Sequence, residues 1–207
     1  MLLRVRLRTA AARFADHGWP VTPGSYFNGA RMACDRPTCW ATSCHPILPD
    51  WDRSTDVHIG QWWRERPHSV LLPTGRVFDV IEVPSLLGIK VQDVTAPVAV
   101  TPAGRWMFLV RKGATLRPEL HQRFDIVHHG DGSWIPAPPT VLPEGQVRWQ
   151  LSPQHLDWQL PDPDGLQQAM VSALVSLDAS FLDLPINARR SSFIPPSTVE
   201  AALRKAG

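Results

Sequence analysis

The sequence has little net charge, a single tyrosine and no long apolar run. Its 207 residues carry a formal charge of +2, which excludes a global field that draws the protein to nucleic acid, so a DNA contact would need a local basic patch. No stretch approaches the roughly 20 apolar residues of a membrane-spanning helix, and the N-terminal residues lack the apolar core of a signal peptide. We therefore expect a cytoplasmic protein without a membrane segment.

Proline and tryptophan are abundant instead. The 21 prolines and nine tryptophans predict many short elements joined by rigid turns, which disfavours a helical bundle and favours an α+β fold. The length suits one domain with an appendage, and we expect the domain at residues 1–178 and a C-terminal tail at residues 179–207. A capping-box pattern at Ser197-Thr198-Val199-Glu200 predicts one short helix in that tail.

Helices are predicted where apolar residues recur three and four positions apart. Residues 1–14 and 166–175 have this pattern, and Gly18 is expected to cap the C-terminus of the first helix. Between them, Ser54-Thr55-Asp56 offers capping side chains for a short, tryptophan-rich helix that ends before Pro67.

The central region has the pattern of a sheet. Residues 69–72 and 77–83 are predicted to be buried strands, and residues 73–76 have the chemistry of a hairpin turn between them. His128 and His129 are predicted to lie in a turn. Four further strand candidates are residues 98–100, 106–110, 124–127 and 147–151.

All three cysteines lie in one aperiodic loop, residues 32–46, whose ligand types suit a tetrahedral structural zinc site. The candidate ligands are Cys34, Cys39, Cys44 and His45. The adjacent Cys44 and His45 are poorly placed to bind one ion together, so one of them is a candidate spectator. The alternative is three buried or free thiols, with disulfides ranked last in a reducing cytoplasm. A deaminase-type catalytic zinc is excluded, because that chemistry needs a glutamate two residues after the ligand histidine and Ile47 stands there.

Four motifs follow one another in a specific order. They are Gly-Trp-Pro-Val-Thr-Pro at 18–23, the cysteine loop ending in His-Pro at 45–46, Trp-Trp at 62–63 and Pro-Thr-Gly at 73–75. In this order the sequence resembles the bifunctional DNA primase/polymerase (Prim-Pol) domain family of the archaeo-eukaryotic primase type, especially its actinobacterial members. The resemblance extends to about residue 149 and implies a mixed sheet flanked by helices, with a zinc-binding loop insertion.

The same resemblance implies ligand positions for zinc. Cys34, Cys39 and His45 fall at metal-ligand positions of the family. Met32 stands where the family has an earlier cysteine, and Cys44 is the candidate substitute for it.

The family presents two catalytic carboxylates two residues apart on one strand, where they hold a divalent metal beside a nucleoside triphosphate. Taking Glu82 as the first carboxylate leaves Pro84 at the second position, whereas taking Asp79 as the first leaves Ile81 there. The pair is therefore broken. Asp79 and Glu82 face opposite sides of a regular strand, so both reach one ion only at a bulge or a strand end.

Two further site residues follow from the resemblance. Thr101-Pro102-Ala103-Gly104-Arg105-Trp106 matches the family's nucleotide-binding element, in which Arg105 keeps a charge suited to phosphate. A solvated turn arginine is the equally weighted alternative. Asp125, on the last family strand, occupies the third metal-carboxylate position, and its alternative is a strand-edge aspartate bonded to backbone.

Three hypotheses for function result. The first is a Prim-Pol-fold protein whose nucleotidyl transfer is lost or weakened and which serves as a nucleic-acid-binding, replication-associated or regulatory module. The second is an active DNA primase/polymerase in which Asp79 or Glu82 acts with Asp125 to hold Mg²⁺ or Mn²⁺. The third is a protein-binding adaptor, which the near-neutral charge mildly favours. The expected partners are DNA or a nucleotide, and a replication or regulatory protein.

Overall fold

The computed structural model describes residues 1–34, 36, 39–51 and 59–182. Two compact units divide the chain, the first being Met1–Val171 and the second beginning at Ser172. The helices are α1 Leu2–Asp16, α2 Ser85–Lys90, α3 Pro118–His121 and α4 Pro163–Leu182. The predicted capping segments at residues 54–56 and 197–200 lie outside the described residues, and Ile59–Gln61 forms a short 3-10 helix.

The first helix confirms its sequence prediction, including its end. Gly18 has φ +74°, and its N–H donates to the Ala15 carbonyl at 2.9 Å while the Trp19 N–H donates to the Phe14 carbonyl at 3.0 Å. These two bonds form a Schellman cap, which needs a left-handed residue of the kind that glycine provides. The buried residues of α1 recur at helical spacing: Leu7, Ala11 and Phe14.

The described strands pair in antiparallel sheets. They are β1 Thr22–Gly24, β2 Tyr26–Phe27, β3 Met32–Ala33, β4 Ser69–Pro73, β5 Phe78–Pro84, β6 Val98–Val100, β7 Arg105–Arg111, β8 Val127–His129, β9 Trp134–Pro136, β10 Val141–Leu142, β11 Gly145–Gln146 and β12 Arg148–Leu151. The largest sheet has the order β12-β6-β7-β5-β8 and the next has the order β1-β4-β9. Two further sheets are the short pairs β2-β3 and β10-β11.

Three local predictions are wrong. The strands β4 and β5 do not form a hairpin, because β4 pairs with β1 and β9 whereas β5 pairs with β7 and β8 in the other sheet. The segment 124–127 is predicted to be a strand, but Phe124 and Asp125 form a turn. The Phe124 side chain is fully exposed, so it does not contribute to the core as a buried strand residue would. His128 and His129 belong to strand β8 rather than to a turn.

One core cluster joins α1 to both large sheets. Its members from the five-stranded sheet include Val80 of β5 and Met107 of β7, which pack with Phe14 of α1. The opposite face of the sheet carries α2, which approaches so closely that a Cβ on Gly88 would lie 2.3 Å from Trp106 Cγ. Successive residues of β5 therefore face opposite sides of the sheet, and Glu82 shares the face of Val80.

Among the described helices, none is long and apolar enough to cross a membrane.

Candidate functional site

The C-terminal end of the cysteine loop is tied to residues near the start of the domain. Gly24 forms a bridge with Pro46, and the Ser25 N–H donates to the His45 carbonyl at 2.8 Å. The Ser25 hydroxyl in turn accepts a hydrogen bond from the His45 N–H at 3.2 Å. These backbone contacts hold His45 opposite the cysteines that follow the β2-β3 hairpin.

Three of the predicted ligands converge. One ligand atom each from Cys34, Cys39 and His45 lies within 4.8 Å of the other two, and Cys39 Sγ is 3.3 Å from His45 Nε2. His45 Nδ1 lies 2.8 Å from the Ser43 carbonyl and donates to it, which leaves Nε2 with a lone pair toward the cysteines. Two sulfurs and one imidazole nitrogen at this separation fit a zinc ion, whose Zn–S and Zn–N bonds are about 2.3 and 2.0 Å long.

The two cysteines influence each other's ionisation. Burial, followed by the hydrogen bond with Cys39, raises the pKa of the Cys34 thiol, while the same hydrogen bond lowers the pKa of Cys39. Cys39 is therefore the thiol that ionises first, and a thiolate is the form that binds metal.

The structure does not bring Cys44 into this cluster. Burial raises the pKa of the Cys44 thiol to about 11, and the neighbouring side chains of Ser69 and Ser25 counter that rise only in part. Met32, which stands at the family's earlier cysteine position, is buried in the hairpin. Of the four predicted ligands, the cluster contains Cys34, Cys39 and His45.

A second polar cluster surrounds Glu82 near the end of β5. Glu82 Oε1 accepts from Arg105 Nε at 2.6 Å, and Glu82 Oε2 lies 2.9 Å from His129 Nε2. His129 Nδ1 is in turn 2.9 Å from the Ser133 hydroxyl. Arg105 of β7 and His129 of β8 lie on the same sheet face as Glu82, because the register pairs Pro84 with Arg105 and Val80 with His129.

The electrostatics of this cluster favour an ionised Glu82. Burial raises the pKa of the Glu82 carboxyl, but the hydrogen bonds from His129 and Arg105 outweigh that effect and hold the pKa below its ordinary value. The carboxylate therefore stays charged at neutral pH with a side chain of the protein on each of its oxygens.

Arg105 connects Glu82 to Asp125. Its Nη2 donates to the Asp125 carbonyl at 2.8 Å, so the predicted nucleotide-binding residue contacts two of the predicted metal carboxylate positions. The Asp125 side chain itself is held by Arg123, at 3.0 Å from Nε and 3.1 Å from Nη2. The hydrogen bond from Arg123 is the main reason why the pKa of Asp125 is lowered.

Asp79 lies apart from the other two carboxylates. The strands β5 and β7 pair in one unbroken register from Phe78 to Pro84, so Asp79 and Glu82 face opposite sides of the sheet. Asp79 Oδ2 accepts the N–H groups of Gly113 and Ala114, both at 2.8 Å, and lies 3.4 Å from His128 Nε2. Its contacts are those of a buried aspartate that orders the loop after β7.

Two residues that contact the predicted carboxylates are not predicted from the sequence. They are His129, which lies at Glu82, and Arg123, which holds Asp125. The alternation of Val127 and His129 along β8 could have placed His129 beside Glu82, but only with the pairing of β5 and β8 already known.

Comparison with known proteins identifies one matching family. A family model described as "Bifunctional DNA primase/polymerase, N-terminal" (Prim-Pol) matches residues 11–164. No curated protein matches the sequence. The matched segment contains the cysteine cluster, all of β5 and β7, and Asp125. The chain belongs to the bifunctional DNA primase/polymerase N-terminal (Prim-Pol) domain family.

Proposed function

We propose that this primase/polymerase-like protein has lost or weakened nucleotidyl transfer and acts as a nucleic-acid-binding, replication-associated regulatory module. We place it in the cytoplasm, where reducing conditions keep the cysteine ligands as thiols. A replication or regulatory protein is the partner that such a module would act upon.

The observation that carries this proposal is that both oxygens of the Glu82 carboxylate have side-chain partners. A metal-dependent polymerase needs carboxylate oxygens that face a divalent cation. Here Arg105 occupies one oxygen of Glu82 and His129 the other, at 2.6 and 2.9 Å. The Arg105 guanidinium supplies the positive charge that the metal would supply in an active site, and the His129 ring occupies the second oxygen.

The remaining carboxylates support the same conclusion. Asp79 is committed to two backbone N–H groups on the other sheet face, and Asp125 to the fork of Arg123. Within the part of the chain that the structure describes, no group of three metal-ligating side chains forms around Glu82.

We propose a structural zinc ion for the cysteine cluster. Cys34, Cys39 and His45 would hold it, and the ion would close the loop that a hydrophobic core does not organise. The ligands are local in sequence, and the nearest backbone ties run to Gly24 and Ser25 rather than to the Glu82 cluster. The zinc therefore contributes to the stability of the loop and not to chemistry at Glu82.

The alternative function is an active primase/polymerase with a non-standard metal site. One observation favours it: Arg105 bridges Glu82 and the Asp125 backbone, so these two predicted metal positions lie close to one side chain. A substrate triphosphate would have to draw Arg105 away and free Glu82 for Mg²⁺ or Mn²⁺.

Template-dependent nucleotide incorporation tests the proposal. Purified zinc-replete protein is compared with Asp125→Ala and with Asp131→Ala, an exposed aspartate that serves as the matched control, each with Mg²⁺ or Mn²⁺. We expect no incorporation, or a rate close to background, from all three proteins. Incorporation that persists in Asp131→Ala and disappears in Asp125→Ala would establish an active polymerase and overturn the proposal.

A further inference from the structure

A basic cleft lies between α1 and the β11–β12 segment. Its volume is about 550 Å³, and it is bounded on one side by Arg6 and Arg13 of α1 and on the other by Arg148. Its uncharged polar lining consists of Thr9, Gln146 and Gln154. None of the residues that line it is acidic, so the cleft concentrates positive charge in a protein of net charge +2.

The arginines are arranged to hold an extended anion. Arg6 and Arg13 are seven residues apart on one helix face, which separates their backbones by about 10 Å. With the Gln154 amide oriented so that its oxygen faces Arg13, that oxygen accepts from Arg13 Nη1 at 2.5 Å and from Nε at 3.3 Å. Gln154 thus restrains the Arg13 guanidinium at the rim, which lowers the entropy cost of binding a ligand there.

We propose that this cleft binds the phosphate backbone of single-stranded nucleic acid. A free nucleotide carries its phosphates at one point, whereas arginines whose backbones lie about 10 Å apart along a helix can reach separate phosphates of one strand. A cleft of about 550 Å³ has the dimensions of a small-ligand site, so a single strand can enter it and a duplex would touch only its rim. This inference rests on the proposed nucleic-acid-binding function and assigns that function a surface.

The charged side chains of the cleft suit phosphate groups rather than a particular base. Its aromatic residues are Phe14, which is buried, and half-buried Trp149, which meets the Phe14 ring edge-on with centroids 6.2 Å apart. Stacking on Trp149 would tolerate any base, since every base has a π-face. The affinity is therefore expected to depend on salt and chain length and to be nearly independent of base identity.

The cleft is separate from the Glu82 cluster. Its sheet strand, β12, is one edge of the five-stranded sheet, whereas His129 lies on β8 at the other edge. None of the residues that contact Glu82 lines the cleft. Binding here consequently needs neither the catalytic metal nor the triphosphate.

Fluorescence anisotropy with labelled oligo(dT) over a salt series tests the proposal. The variant Arg6→Gln/Arg13→Gln/Arg148→Gln is compared with Arg8→Gln/Arg31→Gln/Lys112→Gln, which removes the same charge from exposed positions outside the cleft. We expect the cleft variant to bind at least about tenfold more weakly. Its log–log salt dependence should be shallower by about 2, because each phosphate contact on a single strand contributes about 0.7 to the slope. The control variant should lose less than about twofold, since its three charges lie outside the cleft and would act on the strand only at a distance, where salt screens them.

The outcomes separate this inference from the function on which it rests. If the wild type binds and the two triple variants weaken equally, the cleft is not the binding surface, although the proposed function stands. If the wild type binds no single strand even at low salt, both fail, and a protein-binding adaptor becomes the better hypothesis. Arg6→Gln and Arg148→Gln alone, at exposed positions, provide the same comparison should the triple variant not fold. A preference for duplex over oligo(dT) would also overturn the proposal.

Discussion

Arg105 Nε lies 2.6 Å from Glu82 Oε1, so the residue expected to hold a nucleotide phosphate instead neutralises a residue expected to hold the metal. Both side chains are largely shielded from solvent, with 26% and 19% of their surfaces exposed. An ion pair in such surroundings is broken at a cost, because each partner would be left with an unpaired charge. The pair therefore competes directly with the binding of a divalent cation at Glu82.

Glu82→Gln should destabilise the domain and reduce the change in its free energy of unfolding between neutral and acidic pH. The folded-state pKa of Glu82 is lowered, so its contribution is complete above the unfolded pKa of about 4.3 and is lost as the pH falls through the lower folded value. We expect the free energy of unfolding at pH 7 to fall by about 1–3 kcal/mol, and the difference from wild type to shrink in acid. Urea denaturation at several pH values measures this, with exposed Glu144→Gln as the control. Equal stability at pH 7 would show that the pair contributes nothing net.

Pro84→Asp combined with Arg105→Gln should create a metal site. Pro84 lies two residues after Glu82 on the same sheet face and pairs directly with Arg105, so a carboxylate there would otherwise meet the guanidinium. Pro84 is also the N-cap of α2, a position that aspartate favours. We expect Mn²⁺ to bind the double variant at least about tenfold more tightly than it binds Arg105→Gln alone, as measured by the spin resonance of free Mn²⁺. Identical binding by the two proteins would mean that the broken carboxylate pair is not what limits metal binding.

Cys39→Ser and Cys44→Ser should differ in metal content. Cys39 Sγ lies in the ligand cluster, whereas Cys44 lies outside it, beside Ser69 and Ser25. We expect Cys39→Ser to lose at least about tenfold in zinc affinity because a hydroxyl is a poor zinc ligand, and Cys44→Ser to retain one zinc per chain. Competition with a chromogenic chelator measures both. If Cys44→Ser loses zinc and Cys39→Ser retains it, Cys44 is a zinc ligand and Cys39 is not.

Gly75→Ala should be far more costly than Gly132→Ala. Both glycines have positive φ, +86° and +73°, but a Cβ at Gly75 would lie 2.2 Å from Asp131 Cα whereas a Cβ at Gly132 meets nothing within 4 Å. We expect about 1 kcal/mol of destabilisation from Gly132→Ala and at least about 3 kcal/mol from Gly75→Ala, since backbone has to move in the second case. Thermal or urea unfolding of the two variants compares them. Similar losses would indicate that the turn after β8 can shift at little cost.

The Thr74-Gly75 motif contacts a turn that lies far from it in the sequence. Thr74 donates its hydroxyl to the Gly130 carbonyl at 2.6 Å, and the Thr74 N–H donates to the Ser133 carbonyl at 2.9 Å. The motif therefore fixes the turn that carries Ser133, the partner of His129. The sequence predicted a turn at this motif but joined the wrong strands with it, because the preference of Gly75 for positive φ is local and the strand partners are not.

The sequence by itself determined the features that depend on residues close together in the chain. The helical spacing in α1 and its Gly18 cap predicted the first helix and its end, and the run of residues 98–100 predicted β6 with the bounds observed. The cysteine cluster was also predictable, because Cys34, Cys39 and His45 lie within one short loop. In each case the energy that selects the conformation comes from contacts over a few residues of chain.

Only the tertiary structure decided the surroundings of the carboxylates. Glu82 meets Arg105 and His129 because β5 lies between β7 and β8, a placement set by burial of both sheet faces and not by any motif in β5. The same pairing turns Asp79 away toward Gly113 and Ala114. Strand order follows from which apolar faces can be covered at once, so a carboxylate's partner across a sheet is a property of the packed domain and not of its own segment.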